Sequence, residues 1–255
     1  MHDTPDASVP TAPVTDGVPA QLVDLAVAMS AVADRATEDG GRLPLEGLVH
    51  AAADQVPGAR WASITVLRGG RFTTEASSHE QAMRADALQY ELGTGPCVDA
   101  VLDDNVYLTG DIRSDARWAE YGRRAHEAVG LNSVLAHRLI LHDDSGAIAC
   151  LNIYSDARDA FDEPSLAVGL VLATHASLVV TALLARDRAD NLTKALETNR
   201  EIGVAMGILM QSHRLTREQA FGVLRLASQD SNRKLSDIAR DVAETGVAPV
   251  RRRLA

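Results

Sequence analysis

The chain has 255 residues, of which 46% are hydrophobic, and a formal net charge of −10. This length accommodates one large domain, or a medium domain with a small one. No stretch reaches the ~20 uninterrupted apolar residues of a membrane span, and the acidic start MHDTPDASVP lacks the pattern of a signal peptide. We therefore expect a cytoplasmic protein with no membrane partner. Its two cysteines, Cys97 and Cys150, are too few for a disulfide framework.

The charge is distributed unevenly along the chain. Residues 191–255 carry 11 Lys and Arg against 7 Asp and Glu, a net of +4, whereas residues 1–190 carry 14 against 28, a net of −14. Three of the C-terminal positive charges are the terminal run of residues 251–253. A nucleic-acid partner is therefore expected only for the C-terminal part, and its basic signal is modest.

The N-terminal third predicts an arm, two helices and a hairpin. Residues 1–18 contain three prolines and no apolar periodicity, which indicates a disordered arm. An amphipathic helix is expected from Pro19 until the glycines at 40–41, and a second helix from Pro44 to Gln55. The β-branched run that begins at Trp61 predicts a strand, with residues 72–77 as its hairpin partner.

The middle of the chain alternates between strand and helix patterns. Strands are expected at 106–109, 131–142 and 147–154, with helices around 81–92, 96–102 and 118–129. The turn residues 143–146 join the last two strands as a hairpin. Hairpin strands interspersed with helices predict an α+β domain with an antiparallel sheet and flanking helices, not a doubly wound fold.

A long helix is predicted from Pro164 to about His213. Part of it carries residues at alternating steps of three and four, which is the spacing of a coiled-coil seam: Ala182, Ala185, Ala189, Leu192, Leu196, Asn199 and Gly203. This pattern is compatible with a dimer, and equally with a single helix whose apolar face lies on its own sheet.

Two shorter helices are predicted after the long one. The sequence TREQ, from Thr216 to Gln219, fits a capping box that opens a helix with Phe221 and Leu224 in the core. Ser236 is predicted to be the N-cap of a last helix that ends at Gly246. Three helices make a small bundle that is marginal without a partner.

The string REIGVAMGILMQSHRLTREQAFGVLRLASQDSNRKLSDIARDVA, from Arg200 to Ala243, resembles the ANTAR family of RNA-binding antitermination modules. Residues from about 20 to 186 resemble a GAF domain of the kind that precedes ANTAR modules in actinobacterial proteins. The strings that carry this resemblance are YELGTGPCVDAV, DIRSDARWAEYGRRAHEAVGLNSVL and GAIACLNIYSDARDAFDE. The resemblances divide the chain into a disordered arm (1–18), a GAF-like sensory domain (19–186), an ANTAR three-helix domain (187–246) and a basic tail (247–255).

The ANTAR resemblance implies a homodimer that binds a pair of RNA stem-loops in a nascent leader transcript and prevents the terminator hairpin from forming. Small side chains would let RNA approach the first helix, cations would hold phosphates, and short polar side chains would contact bases. Met206 stands where many relatives have Lys. The implied RNA-binding residues are Ala205, Met206, Gly207, Arg214, Arg225, Ser228, Gln229, Asn232, Arg233 and Lys234.

The GAF resemblance implies a small-molecule ligand against one face of the sheet, under the covering helices and loops. Its candidate lining residues are Cys97, Asp111, Trp118, Asn152 and Tyr154. The fold does not name the ligand. No cofactor or metal site is expected, because the histidines lack ligand spacing and no P-loop or GxSxG motif occurs.

Two other functions stay open from the sequence. GAF-like folds include a thiol-dependent reductase of free methionine sulfoxide, and Cys97 at a predicted helix start could serve as its reactive thiol. Alternatively, Cys97 is a small buried apolar residue. The helical C-terminal part could instead be a protein-interaction or dimerisation module without RNA binding.

Overall fold

The computed structural model describes residues 42–103, 106–142 and 146–247. The predicted arm, the predicted first helix from Pro19, residues 143–145 of the predicted turn and residues 248–255 of the tail lie outside the described residues. The described residues divide into two compact units, with the boundary between Leu184 and Ala185.

The described part contains helices and strands in the order that the sequence predicts. The helices are α1 (Arg42–Gln55), α2 (Glu80–Leu92), α3 (Pro96–Asp103), α4 (Ala119–Val129), α5 (Glu163–His213), α6 (Arg217–Ser231) and α7 (Leu235–Thr245). The strands are β1 (Trp61–Arg68), β2 (Arg71–Ser77), β3 (Val106–Thr109), β4 (Ser133–Leu139) and β5 (Ile148–Ser155). A short 3₁₀ turn, Ala116–Trp118, precedes α4.

The first unit is built on one antiparallel sheet of five strands in the order β2-β1-β5-β4-β3. The predicted pairings of β1 with β2 and of β4 with β5 are both present, and a register shift lies between Ile64 and Thr65. The prediction of an antiparallel sheet with flanking helices is confirmed. A doubly wound fold would have required parallel neighbours.

The two faces of the sheet differ in chemistry because side chains alternate along each strand. One face is apolar and packs against α1 and the first half of α5; its strand residues include Ala62, Ile64, Val66, Leu135, Leu151 and Ile153. The other face packs under α2, α3 and α4 and carries polar and aromatic groups, including Ser63, Thr65, Asn152 and Tyr154. Both faces are covered, so the polar face is an internal surface.

Helix α5 is long and apolar enough to cross a bilayer by length and composition, with an 18-residue window of mean hydropathy 2.1, of which 33% is buried. Burial against the sheet accounts for part of this composition. Leu172, Ala176 and Val180 of α5 belong to the same buried cluster as the apolar sheet face. One such helix is weak support for a membrane span, because core helices of soluble proteins pass the same test.

The second unit is a helical bundle with its own small core. Eight residues of this core are fully buried: Ala205, Leu209, Ala220, Leu224, Ala227, Ile238, Ala239 and Val242. The predicted capping box is present, since the Gln219 amide donates to Thr216 Oγ1 at 3.3 Å and the Thr216 amide donates to Gln219 Oε1 at 2.9 Å. Gly246 closes α7 in the left-handed conformation, with φ of 74°.

Two details of this unit differ from the sequence prediction. Helix α7 begins at Leu235 with Lys234 at its N-cap and no side-chain cap, so the prediction of Ser236 as N-cap was wrong. Phe221 is 42% exposed and lies outside the core that contains Leu224. Phe221 borders the apolar stripe of α6, and the stripe is filled by the smaller residues Ala220 and Ala227.

Candidate functional site

A cluster of polar side chains fills the space between the sheet and the helices of the first unit. At its centre, the buried carboxylate of Asp86 on α2 accepts hydrogen bonds from four side chains: Tyr154 Oη at 2.5 Å, Thr74 Oγ1 at 2.8 Å, Ser63 Oγ at 3.1 Å and Asn152 Nδ2 at 3.3 Å. Among the described residues, no Lys or Arg forms an ion pair with Asp86. The cluster therefore holds a carboxyl group stabilised only by neutral donors.

The environment of Asp86 changes its acidity. Burial raises the pKa of this carboxyl from its ordinary value to about 6, and the four hydrogen bonds partly oppose that rise. Burial and the neighbouring Asp86 also raise the pKa of Tyr154, which therefore stays a neutral donor. The cluster thus gains a negative charge as the pH rises through about 6.

Three further groups adjoin the cluster. The hydroxyl of Tyr121 on α4 is buried and forms no hydrogen bond within the described residues. Cys150 is in hydrogen-bonding contact with Cys97, and its thiol donates to Asn152 Oδ1 at 3.1 Å. Burial, followed by the Cys97 contact, raises the pKa of the Cys150 thiol. The unpartnered hydroxyl of Tyr121 leaves one hydrogen-bonding position beside the cluster for a water or a ligand atom.

The predicted ligand residues occupy different places. Asn152 and Tyr154 belong to the polar cluster, and Cys97 lies beside it at the start of α3 with no exposed surface. Trp118 is buried, and its Nε1 donates to Asp99 Oδ2 on α3 at 2.7 Å. Asp111 lies in a surface turn, where it pairs with arginines at 113 and 158. The burial of Cys97 does not suit a thiol nucleophile that must reach a substrate.

Sequence reasoning missed the centre of this cluster. Asp86 was not selected, because a single acidic residue in a helix is ordinarily solvated. A signal was nevertheless present: the buried face of α2 repeats at helical spacing as Ala82, Ala85, Asp86 and Gln89, and the strand residues that face it are polar. A helix with small and polar residues on its inward face indicates a polar interior.

In the second unit, the predicted cations fall into two groups. Arg214, Arg225 and Lys234 are exposed and take part in no ion pair within residues 146–247. By contrast, Arg233 pairs with Asp241 at 2.6 Å. Three of the four predicted phosphate-binding cations can therefore bind an anion without first losing an internal ion pair.

The residues of α5 that were predicted to contact RNA also differ in their exposure. Ala205 is fully buried in the core of the bundle, so in this structure it faces its own helices and not a partner. Met206 is partly buried against that core. Gly207 is exposed, and a Cβ added there would meet nothing within 4 Å. A Cβ added at Gly203 or Gly222 would likewise meet nothing within 4 Å. Because Gly costs a helix interior about 1 kcal/mol relative to Ala, these positions lower stability without improving internal packing.

The remaining predicted contacts lie at the end of α6. Ser228 donates to the carbonyl of Arg233 at 2.6 Å, and Asn232 takes the left-handed conformation that ends the helix, with φ of 52°. Gln229 is exposed in the last turn. These residues form a fixed turn next to Lys234, and the hydroxyl of Ser228 is already used within the protein.

A cavity of about 470 Å³ opens on the second unit, between α5 and α6. It is lined by Asn199, Ile202, Gly203, Met206, Arg217, Glu218 and Phe221. Of these residues, Met206 was predicted from the sequence as an RNA contact, and Asn199 and Gly203 as part of the coiled-coil stripe. Within the described residues, no group of three or more His, Cys, Asp or Glu side chains could hold a metal ion.

Comparison with protein families assigns both units. Residues 45–181 match the model of the GAF domain, and residues 190–242 match the model of the ANTAR domain. A comparison with curated proteins gave no match.

Solved structures resemble the first unit in fold. The GAF domain of a phosphoenolpyruvate-protein phosphotransferase from Acinetobacter has a TM-score of 0.50 at 16% identity, over 66% of this chain and 96% of that one. The N-acylhomoserine lactone dependent LuxR family factor CepR2 from Burkholderia cenocepacia has a TM-score of 0.50 at 15% identity, over 67% and 99%. A type II free methionine-R-sulfoxide reductase from Thermoplasma acidophilum has a TM-score of 0.45 at 21% identity, over 56% and 94%. At these identities the likeness concerns the fold alone.

The GAF match spans more than half of the chain, so the protein belongs to the GAF domain family. With the ANTAR domain that follows, it is a GAF–ANTAR two-domain regulator. GAF domains are sensors and ANTAR domains are RNA-binding antitermination regulators, so this architecture points to signal-dependent regulation and not to an enzyme.

Proposed function

We propose that the protein is a cytoplasmic homodimer that binds paired stem-loops in a nascent leader transcript and thereby prevents the terminator hairpin from forming. The observation that carries this proposal is the combination, on the ANTAR domain, of exposed cations without acidic partners and helix glycines with open space beside them. The first feature suits phosphates, and the second suits close approach of a backbone.

The arrangement of cations supports RNA as the partner. The carboxylates Asp241 and Glu201 neutralise Arg233 and Arg240, respectively. Arg225 and Lys234 remain available, on α6 and at the start of α7. An unpaired exposed cation can bind a phosphate without first breaking an internal ion pair.

The coiled-coil spacing of α5 supports a dimer. Within the second unit, the stripe residues that precede the cavity are all exposed: Ala185, Ala189, Leu192 and Leu196. Leu192 and Leu196 are 61% and 62% exposed. A continuous exposed stripe with seam spacing fits a second helix of the same kind.

The polar cluster of the GAF domain is our candidate for the sensing site. It holds a buried carboxyl without a cationic partner and an unpartnered Tyr121 hydroxyl. A small polar molecule that replaced some of these hydrogen bonds would rearrange the helices that cover the sheet. Two of the sequence-predicted ligand residues, Asn152 and Tyr154, lie in this cluster.

The first test is a binding titration of the full-length protein with a dual stem-loop leader RNA and a scrambled-loop RNA, at about 50 and 200 mM salt. Arg225→Ala and Lys234→Ala should each weaken binding and reduce the slope of log affinity against log salt by about 0.7 to 1, because each removes one phosphate contact. Arg240→Ala removes the same charge from a residue already paired with Glu201, and it should change the slope less.

The results separate three readings. Selective, salt-sensitive binding that is weakened by the first two variants supports antitermination. Equal affinity for the scrambled RNA contradicts it. Equal slopes for all three variants would mean that only the overall charge of the domain matters.

Gly207→Ala is expected to affect stability and RNA binding in opposite directions. The new methyl group meets open space, so the helix should gain about 0.5 to 1 kcal/mol in free energy of unfolding. If RNA approaches the backbone there, its affinity should fall. Denaturant unfolding and the same titration measure the two effects, and a variant that is more stable with unchanged affinity would remove Gly207 from the interface.

A further inference from the structure

Phe221 stands apart from every other aromatic residue of this protein. The chain has nine Phe, Trp and Tyr residues, all of them within the described ranges, and Phe221 is the only one that is exposed. Formation of helix α6 does not require the ring of Phe221 to be exposed. Burial of an aromatic ring removes a large apolar surface from water, and the 42% of Phe221 that is still exposed leaves part of that free energy for a partner.

Two arginines flank Phe221 on the same face of α6. Arg217 and Arg225 lie four residues before and four residues after the ring, and residues at this spacing are neighbours on a helix surface. Both are exposed, and neither forms an ion pair within residues 146–247. The face thus presents a cation, an aromatic ring and a second cation in a row about 12 Å long.

Phe221 also forms part of the wall of the cavity of about 470 Å³ between α5 and α6. Ile202, Gly203 and Met206 give this cavity apolar surface, and Asn199 and Glu218 supply an amide and a carboxylate. Gly203 has open space where a Cβ would be. A cavity of this size suits a small flat group with polar edges.

We propose that this cavity binds one unpaired nucleobase of an RNA loop, stacked on Phe221, with Arg217 and Arg225 holding phosphates on either side of that nucleotide. Stacking of unpaired bases on aromatic rings and contacts from arginines to the backbone are the usual means of recognising single-stranded RNA. The amide of Asn199 and the carboxylate of Glu218 can form hydrogen bonds with the edge of the base. This inference rests on the proposed function and assigns a base site to it.

The experiment uses full-length protein and the dual stem-loop RNA, with 2-aminopurine replacing each loop purine in turn. Phe221→Leu should weaken binding roughly 5- to 150-fold, the range for losing one stacked base. In the wild type, stacking on Phe221 should change the 2-aminopurine fluorescence at one loop position when the protein binds. Phe221→Leu should abolish this change. Phe221→Trp keeps an aromatic surface and should bind within a few-fold of the wild type. Leu226→Ala changes another exposed apolar side chain of α6, which is 54% exposed, and should have no effect.

An RNA with an abasic site at the responding position completes the test. Wild type and Phe221→Leu should bind this RNA equally, because the stacking partner is absent. If the wild type binds the stem-loops selectively and Phe221→Leu binds as tightly, the base site is overturned while the proposed function stands. If the wild type shows no selectivity, both fail. If sedimentation shows that Phe221→Leu loses self-association while its RNA affinity is unchanged, the cavity belongs to a second copy of the chain and the base site is overturned.

Discussion

Replacing Asp86 by Asn is expected to remove a pH-dependent loss of stability of about 3 kcal/mol. Burial raises the pKa of the Asp86 carboxyl to about 6 in the folded protein, whereas the unfolded chain has its ordinary value near 4. Between these values the folded state binds more protons than the unfolded state, so stability falls as pH rises from about 4 to about 6. Above about pH 7 the carboxyl is almost fully ionised, and the whole cost of burying the carboxylate is present.

Urea unfolding of wild type and Asp86→Asn at a series of pH values between 4 and 8 measures this effect. The free energy of unfolding of the variant should rise relative to that of the wild type by about 3 kcal/mol across the range, because the amide cannot ionise. Asp54→Asn, an exposed position on α1, should follow the wild type. A constant difference between Asp86→Asn and the wild type at all pH values would show that Asp86 does not ionise in this range.

Leu224→Ala is expected to destabilise the ANTAR domain by about 2 to 5 kcal/mol. Leu224 is fully buried in a core of only eight fully buried residues, and a domain of this size has little stability to spare. Leu226→Ala makes the same chemical change two residues away on the same helix, where the side chain is 54% exposed. Its effect should stay within about 0.5 kcal/mol.

Hydrogen exchange of the α6 and α7 amides measures the two variants in the same protein. Leu224→Ala should greatly reduce protection in both helices and abolish RNA binding, while Leu226→Ala should leave both close to wild type. Similar protection in the two variants would contradict the assignment of the core. Comparing protection with RNA affinity in each variant also separates two causes of lost RNA binding, which are unfolding of the domain and removal of a contact.

The sequence predicted the elements well because their signals are local. The hairpin of β1 and β2, the long helix and the capping box at Thr216 each depend on residues close in the chain. The fold class followed from the order of these elements. The N-cap of α7 was placed two residues late, because Ser236 has the preferred chemistry for a cap but Leu235 already has helical backbone geometry.

The sites were harder to predict because they depend on which face of a helix is buried. Ala205 and Gly207 are two residues apart on α5 and equally small, yet the first is in the core and the second is exposed. Phe221 lies at the margin of the stripe that contains Leu224, where periodicity does not distinguish core from surface. Asp86 depends on hydrogen bonds from three strands, β1, β2 and β5, and therefore on tertiary structure.

The hydrogen bond between Trp118 and Asp99 gives the GAF domain an optical reporter. The chain has only two tryptophans, and the buried Trp118 indole shares a cluster with Tyr121 and Tyr154. Its bond to Asp99 ties the indole to α3, the helix that packs on the strand residues Ala136 and Cys150. A displacement of α3 that breaks this bond and admits water would shift the fluorescence emission of Trp118 to longer wavelength, so a ligand that moves α3 could be detected without an added label.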